Sequence, residues 1–255
     1  MSQNLIGALP SRLRPPRYGV DAPAFLAATT VTGAACVLAA ARRRRGRGPA
    51  AAAGAALLAS AGVYLHTTLR GKLRVWEREL DRIGLKGDER LLDLGCGRGA
   101  VLVAAARRLP AGHADGADLW SREDQSGNDS AVTLANAAAA GVAGRVAVHT
   151  ADITALPFAD DSFDVVTSAL VIHNIPTREE RERALDEAMR VLRPGGQLLV
   201  ADFWWAAAQY AKHLGAGTPR PLGAEYWYGG PWLGVVLLHV VKEPRSMESM
   251  EERSC

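Results

Sequence analysis

Apolar and polar positions fall into two regimes along the chain. From Ala22 to Ala41 (APAFLAATTVTGAACVLAAA) no residue carries a charge, and a second uncharged run, PAAAAGAALLASAGVYLHTTL, covers Pro49 to Leu69. A helix of about 20 residues, at 1.5 Å per residue, is long enough to cross a bilayer. Arg42 to Arg45 and Arg47 separate the two runs, and Arg12, Arg14 and Arg17 precede them. The pattern predicts two apolar helices joined by a short basic turn. Both runs lean on Ala, which is near neutral in lipid, so a buried Ala-rich pair fits the same pattern. Two full spans with a cytosolic C-terminus would put five arginines outside, against the preference of Arg and Lys for the inner face. A hairpin entering and leaving on one face avoids that conflict. So does a single span at Ala22 to Ala41 with the second run in the interface.

From about Arg90 the period changes. RLLDLG, HADGADLW, RVAVHTAD, FDVVTSALVIHN and QLLVADFW read as strands, separated by helical stretches. The helices are VLVAAARRLP, then Asn128 to Ala140 with Asn128 or Ser130 as cap, then Thr177 to Leu192 with Thr177 and Glu180 as a capping box. Alternation of this kind implies right-handed crossovers and a parallel sheet covered on both faces. After a helix from Trp205 to Leu214, AEYWYG and WLGVVLLHVVKE suit a terminal antiparallel hairpin. The expected fold is α/β, a doubly wound, seven-stranded, mostly parallel sheet preceded by two apolar helices. The chain divides into a basic arm (1–21), an apolar hairpin (22–70), an α/β domain (71–243) and a loose polar tail (244–255).

Composition narrows the class. Hydrophobic residues make up 48% and charged residues 22% of 255 residues, which excludes disorder over most of the length. A formal net charge of +3 gives no footprint for nucleic acid. Cys36, Cys96 and Cys255 are far apart, with neither zinc-like spacing nor a disulfide framework, so no metal site is expected and a reducing compartment fits best.

Candidate chemistry begins at the end of the first strand. Asp93-Leu94-Gly95-Cys96-Gly97-Arg98-Gly99 leads into a helix, and glycines there permit a tight turn and close approach to a ligand. Asp118, about 20 residues on at the end of strand two, is where doubly wound folds place a ribose-binding acid. The dinucleotide fingerprint is incomplete, because Ala100 and Val101 stand where the third glycine spacing should fall. A carboxylate at Asp93 would repel a pyrophosphate and suits a cation. That favours an adenosyl group carrying an amino acid and a sulfonium over NAD. Asp152 ends strand three and can accept from an adenine amino group, with Ile153 packing on the ring. Leu119 and Trp120 offer a second flat wall.

Together LLDLGCGRG, GADLW, TADITALPFADDSFDVVTSALVIHNI and RVLRPGGQLLVADF resemble the class I S-adenosylmethionine-dependent methyltransferases, in the small-molecule branch with quinone and sterol methyltransferases. The likeness covers about Gly84 to Lys242. The layout also resembles a group of membrane-associated methyltransferases with a Tyr-Gly-x-Asp-Ala-Pro segment, here Tyr18 to Pro23. That group also has an Asp-Gln-Ser-Gly-Asn stretch, here Asp124 to Asn128, and a Trp-Tyr-Gly-Gly-Pro-Trp turn, here Trp227 to Trp232. The resemblance implies S-adenosylmethionine as cofactor, with Asp93, Gly95, Cys96, Gly97 and Gly99 at its methionine part and Asp118 on the ribose. It implies Leu119, Asp152 and Ile153 around the adenine and Ser168 near the methionine end. His173 and Asn174 would border the acceptor.

Methyl transfer from a sulfonium is largely a matter of positioning, and a base is needed only when the acceptor must lose a proton. His173 is the candidate base, since an unperturbed imidazole titrates near neutrality. Asp202 is a lesser candidate, and Trp204 lies with Trp205, Trp227 and Trp232 on an apolar rim. No Asn/Asp-Pro-Pro-Tyr/Phe motif ends strand four, which argues against nucleic-acid amines as acceptors. The expected acceptor is a small, apolar or lipid-like molecule at the membrane, with the catalytic domain facing the cytoplasm. A soluble secondary-metabolite methyltransferase, with the helices as lid or dimer contact, and a non-catalytic cofactor-binding module are the alternatives.

Overall fold

Parallel strands buried on both faces need apolar residues at nearly every position, and RLLDL meets that demand at the centre of the sheet. In the computed structural model, which describes residues 18–42, 47–121 and 125–244, it forms β1 (Arg90–Leu94). The arginines before residue 18, Arg43 to Arg45, Asp124 and the tail from 245 lie outside the described residues. The other strands are β2 (His113–Asp118), β3 (Val146–Thr150), β4 (Phe163–Ala169), β5 (Leu192–Phe203), β6 (Arg220–Pro221) and β7 (Val235–Val241). They form one sheet in the order β3-β2-β1-β4-β5-β7-β6. Strands β1 to β5 pair in parallel, and β7 pairs antiparallel with both β5 and β6.

Alternation along β1 divides the core in two. Leu91 joins one cluster with Val101 to Ala106, Trp76 and Leu80, while Leu92 and Leu94 join the other with Ala184, Leu185, Ala188 and Tyr210. The first cluster is covered by α3 (Lys72–Arg82), α4 (Ala100–Arg108) and α5 (Ser130–Ala139), the second by α6 (Arg178–Val191) and α7 (Trp204–Leu214). The Thr177 cap forms as expected, its Oγ1 accepting from Glu180 N and donating to Glu180 Oε2. The α5 cap is Asp129, accepting from Ala131 N, rather than Asn128 or Ser130; the Asn128 amide serves Asp118 instead. The expected terminal hairpin is also displaced. Ala224–Tyr226 is a short 3-10 turn, and the partner strand is Arg220–Pro221.

The apolar runs form α1 (Pro23–Arg42) and α2 (Arg47–His66). Glycines set their closeness: a Cβ on Gly54 would lie 2.8 Å from Gly33 O and 2.7 Å from Val37 Cγ2. The hairpin is not a separate unit at its C-terminal end. Arg47 to Arg82 is one continuous helix, interrupted by a π turn at Thr67–Gly71. That turn widens the helix where it first meets the domain, and Thr67, Thr68 and Gly71 are buried there. Gly71 is required by contact, since a Cβ would sit 1.8 Å from Glu225 O. Beyond it α3 is amphipathic, burying Lys72, Val75, Trp76, Glu79 and Leu80 at helical spacing.

Candidate active site

The carboxyl ends of β1, β2 and β4 open onto a cavity of about 390 Å³, where ligands enter doubly wound sheets. Its near wall is the loop after β1. Gly95, Gly97 and Gly99 have φ of +63°, +51° and +82°, a left-handed series that favours glycine. Close approach adds to the restriction. A Cβ on Gly95 would lie 2.3 Å from Val171 Cγ2, and one on Gly97 would lie 2.5 Å from Gln125 Oε1.

Asp118 holds this loop. Its Oδ2 accepts from Gly97 N at 2.8 Å, and its Oδ1 accepts from Trp120 N at 2.5 Å and Asn128 Nδ2 at 3.1 Å. Thr133 Oγ1 and Asn136 Nδ2 fix the loop carbonyls of Gly97 and Arg98 from α5. Asp93, buried on β1, accepts from Thr167 Oγ1 at 2.8 Å. Burial pushes its carboxyl up to about 7, the bond from Thr167 opposes the rise and Asp118 adds to it. Burial also raises the Cys96 thiol well above its usual value, with Asp93 and Asp118 adding to it, so Cys96 is a wall residue and not a thiolate.

Asp93, Gly95, Cys96, Gly97, Asp118, Leu119, Asp152, Ile153 and Asn174 all line the cavity, so most of the expected set converges. Asp152 is exposed and orders Thr154, whose N and Oγ1 both donate to its Oδ1 at 2.8 Å. Gly99 shapes the loop from behind, against Thr133.

Five other expected residues, Trp120, Ser168, His173, Asp202 and Trp204, do not line the cavity. Trp120 is not in the cavity wall: a left-handed backbone (φ +62°) turns its indole to Thr150, to which Nε1 donates at 2.8 Å. Ser168 is fully buried within β4, its Oγ without a partner among the described residues, and it does not reach the cavity. His173 also stands outside the cavity wall. Its ring packs edge-on against Phe203 at 5.0 Å, and Nδ1 lies 2.8 Å from Asp202 Oδ1. Asp202 is wholly buried and accepts from Tyr210 OH at 3.0 Å and Phe203 N at 2.8 Å; it braces the ends of β4 and β5 rather than meeting a ligand. Trp204 is 59% exposed on the surface of α7, not in the pocket.

Several wall residues were not singled out from the sequence. Leu170, at the end of β4, has φ +59°, a strained geometry at the cavity edge. Trp76, Tyr226 and Tyr228 extend the cavity, with Asp21, Lys72 and Gln125 beside them. The signal for Asp21, Gln125 and Tyr228 lay in three short motifs far apart in sequence, which the fold brings together.

The cavity fits the ligand that the carboxylates suggest. Asp93, Asp118 and Asp152 supply negative charge, positive-φ glycines permit close approach, and Asn128 Oδ1 is a buried acceptor with no partner among the described residues. This fold and this site are similar to those of class I methyltransferase domains, which use S-adenosylmethionine. Residues 92–200 match the family described as a methyltransferase domain. Over 131 residues the chain is 37% identical to the ubiquinone/menaquinone biosynthesis C-methyltransferase UbiE of Roseobacter denitrificans, covering 51% of this chain and 49% of that protein. Over 152 residues it is 35% identical to the 27-O-demethylrifamycin SV methyltransferase of Amycolatopsis mediterranei, covering 59% and 52%. The chain thus spans about half the length of these curated relatives. An S-adenosylmethionine-dependent methyltransferase from Aquifex aeolicus shares the fold, with a TM-score of 0.52 at 18% identity, over 65% of this chain and 88% of that one.

Proposed function

We propose that the protein methylates a small, apolar or lipid-like acceptor at a membrane, with the methyltransferase domain on the cytoplasmic side. One observation carries this reading: the cofactor end of the cavity continues into a wall of Trp76, Val101, Leu170, Ile175 and Tyr226, in a chain whose two long helices leave their apolar side chains outside the core. Val31 is 67% exposed, Leu38 55% and Phe25 51%. Side chains of that kind on an uncharged helix favour lipid over water. The division into basic arm, hairpin, domain and tail belongs to the same proposal, with the hairpin rooted in the domain through α3.

S-adenosylmethionine supplies the methyl group, bound to a sulfonium that leaves readily. Asp93 and the loop from Gly95 to Gly99 would hold its methionine part, Asp118 its ribose, and Leu119, Asp152 and Ile153 its adenine. Asn174 borders the acceptor end. His173, oriented by Asp202, remains the proposed base for an acceptor that must lose a proton, which needs its ring to turn from Phe203 towards the cavity.

The test is transfer of labelled methyl from S-adenosylmethionine into separated lipid and aqueous extracts, with Asp118→Ala as control. Label in the lipid fraction, abolished by the control, is the expected result. Label in the aqueous fraction alone would favour a soluble metabolite acceptor, the reading that the rifamycin relative supports.

A further inference from the structure

Asp21 gathers the parts of the molecule that the methyltransferase domain leaves unexplained. It lies two residues before α1, and its carboxylate accepts from Lys72 Nζ at 2.6 and 2.7 Å, Tyr228 OH at 2.7 Å, Thr68 Oγ1 at 2.9 Å and Gln125 Nε2 at 3.1 Å. Its backbone is tied as well: N donates to Thr68 Oγ1 and O accepts from Tyr64 OH, both at 2.9 Å. Burial opposes charge on Asp21, but the Lys72 ammonium and these hydrogen bonds outweigh it and hold the carboxyl below its ordinary range.

Gln125 links the cluster to the glycine loop. Its Oε1 accepts from Arg98 N at 2.8 Å, and its Nε2 reaches Asp21. The Lys72 ammonium is therefore two side chains from the loop, and both Lys72 and Asp21 line the cavity. Among the described residues Lys72 is the one cation on that wall, against carboxylates at Asp21, Asp93, Asp118, Asp152 and Glu180. An ammonium has three protons, and the two bonds to Asp21 leave one. The cofactor carries two positive centres, sulfonium and ammonium, and one negative, its carboxylate. The acidic wall suits the first two. For the third, Lys72 is the one charged partner among the described residues of the wall.

We infer that Lys72, held in place by Asp21, binds the carboxylate of the cofactor's amino acid. Lys72 and Asp21 stand at the two roots of the apolar hairpin, outside residues 92–200, so the hairpin completes the cofactor site. This rests on S-adenosylmethionine being the ligand and names the residue that reads one of its groups.

The experiment is calorimetric binding to the full chain in detergent, with S-adenosylhomocysteine and its decarboxylated form, which keeps the amine. Lys72→Met should weaken S-adenosylhomocysteine by about 10- to 100-fold, the range of a lost charge-assisted hydrogen bond. It should leave the decarboxylated ligand within about threefold, since no hydrogen bond to it is lost. Because Lys72→Met strands the Asp21 charge and can impair folding, the double variant Asp21→Asn/Lys72→Met removes both charges and should show the same selectivity, while Lys72→Arg should restore part of the loss. Equal weakening of both ligands, or none, would overturn the inference and leave Lys72 a structural counter-ion. If the wild-type chain bound neither ligand, the cofactor reading itself would fall, and this inference with it.

Discussion

Gly97 donates its backbone N–H to Asp118 Oδ2 at 2.8 Å, so the acid at the end of β2 shapes the loop after β1 before any ligand arrives. The same carboxylate accepts from Trp120 N and Asn128 Nδ2. Asp118 therefore organises the site, besides having a lone pair to offer a ribose hydroxyl. Asp118→Asn turns one acceptor into a donor facing N–H groups. Each hydrogen bond to a charged group is worth about 1.5–3 kcal/mol, so S-adenosylhomocysteine affinity should fall at least about tenfold, with a lower melting temperature. A variant that keeps wild-type affinity in calorimetry would remove Asp118 from the site.

Gly95→Ala meets two obstacles. Its φ of +63° is strained for any L side chain, at about 1–2 kcal/mol, and the new Cβ would overlap both methyl carbons of Val171. Val171→Ala should relieve the overlap with the two methyls, leaving the contact with the Val171 Cβ at 2.8 Å and the backbone strain. The single variant should lose both stability and cofactor affinity, with the double variant intermediate; thermal melts with and without S-adenosylhomocysteine read both. An undiminished single variant would show that the loop has another conformation.

Asp93 couples binding to protons. Burial raises its carboxyl to about 7, above the unfolded value, so the folded state holds a proton that the unfolded chain releases between about pH 4 and 7. Its contribution to stability is greatest below that window and is lost as pH rises through 7. A cationic ligand favours the ionised form, so binding near pH 6 should expel up to about one proton, and affinity should rise with pH until it levels above about 7. Calorimetry in buffers of different ionisation enthalpy measures the proton count, and Asp93→Asn should abolish it. No proton release in the wild type would mean that Asp93 is already ionised or stays neutral when bound.

How far the sequence revealed this site depends on the kind of signal. Asp93, Asp118 and Asp152 were legible because the carboxyl end of a parallel strand fixes where a side chain goes, and the glycines because the turn after β1 needs left-handed backbone. The central strands were legible for a similar reason, their apolar runs being too short for helices. His173, Ser168 and Trp120 sit at the right places in the chain but point elsewhere, since a single φ at Trp120 or a buried partner such as Asp202 decides direction. Lys72 was hidden by its neighbours. It reads as one of several charges after the apolar run, and only the π turn at Thr67–Gly71 puts it, one turn before Trp76, on the buried face. The hairpin at the end of the sheet was not legible, since aromatic AEYWYG has the composition of a strand, whereas Tyr226 and Tyr228 are buried as a cavity wall.

Exposed apolar side chains on α1 give the membrane reading its sharpest test. Val31 and Leu38 are 67% and 55% exposed, so replacing them removes little packing. In water the double variant Val31→Glu/Leu38→Glu should fold as well as the wild type, since surface substitutions cost within about 0.5 kcal/mol. In a bilayer the cost is different in kind, because a charged residue near the middle of a span carries about 2.5–3.5 kcal/mol on insertion scales. Co-flotation with phospholipid vesicles should therefore fall sharply, while binding of S-adenosylhomocysteine to the detergent-solubilised variant stays at the wild-type level. If flotation persists, α1 does not enter lipid and the hairpin is a protein-facing lid or dimer contact. If cofactor binding fails together with flotation, the substitutions have disturbed the hairpin's packing at Gly33 and Gly54. Repeating the test at Phe25, at the domain end of the same helix, then separates the two effects.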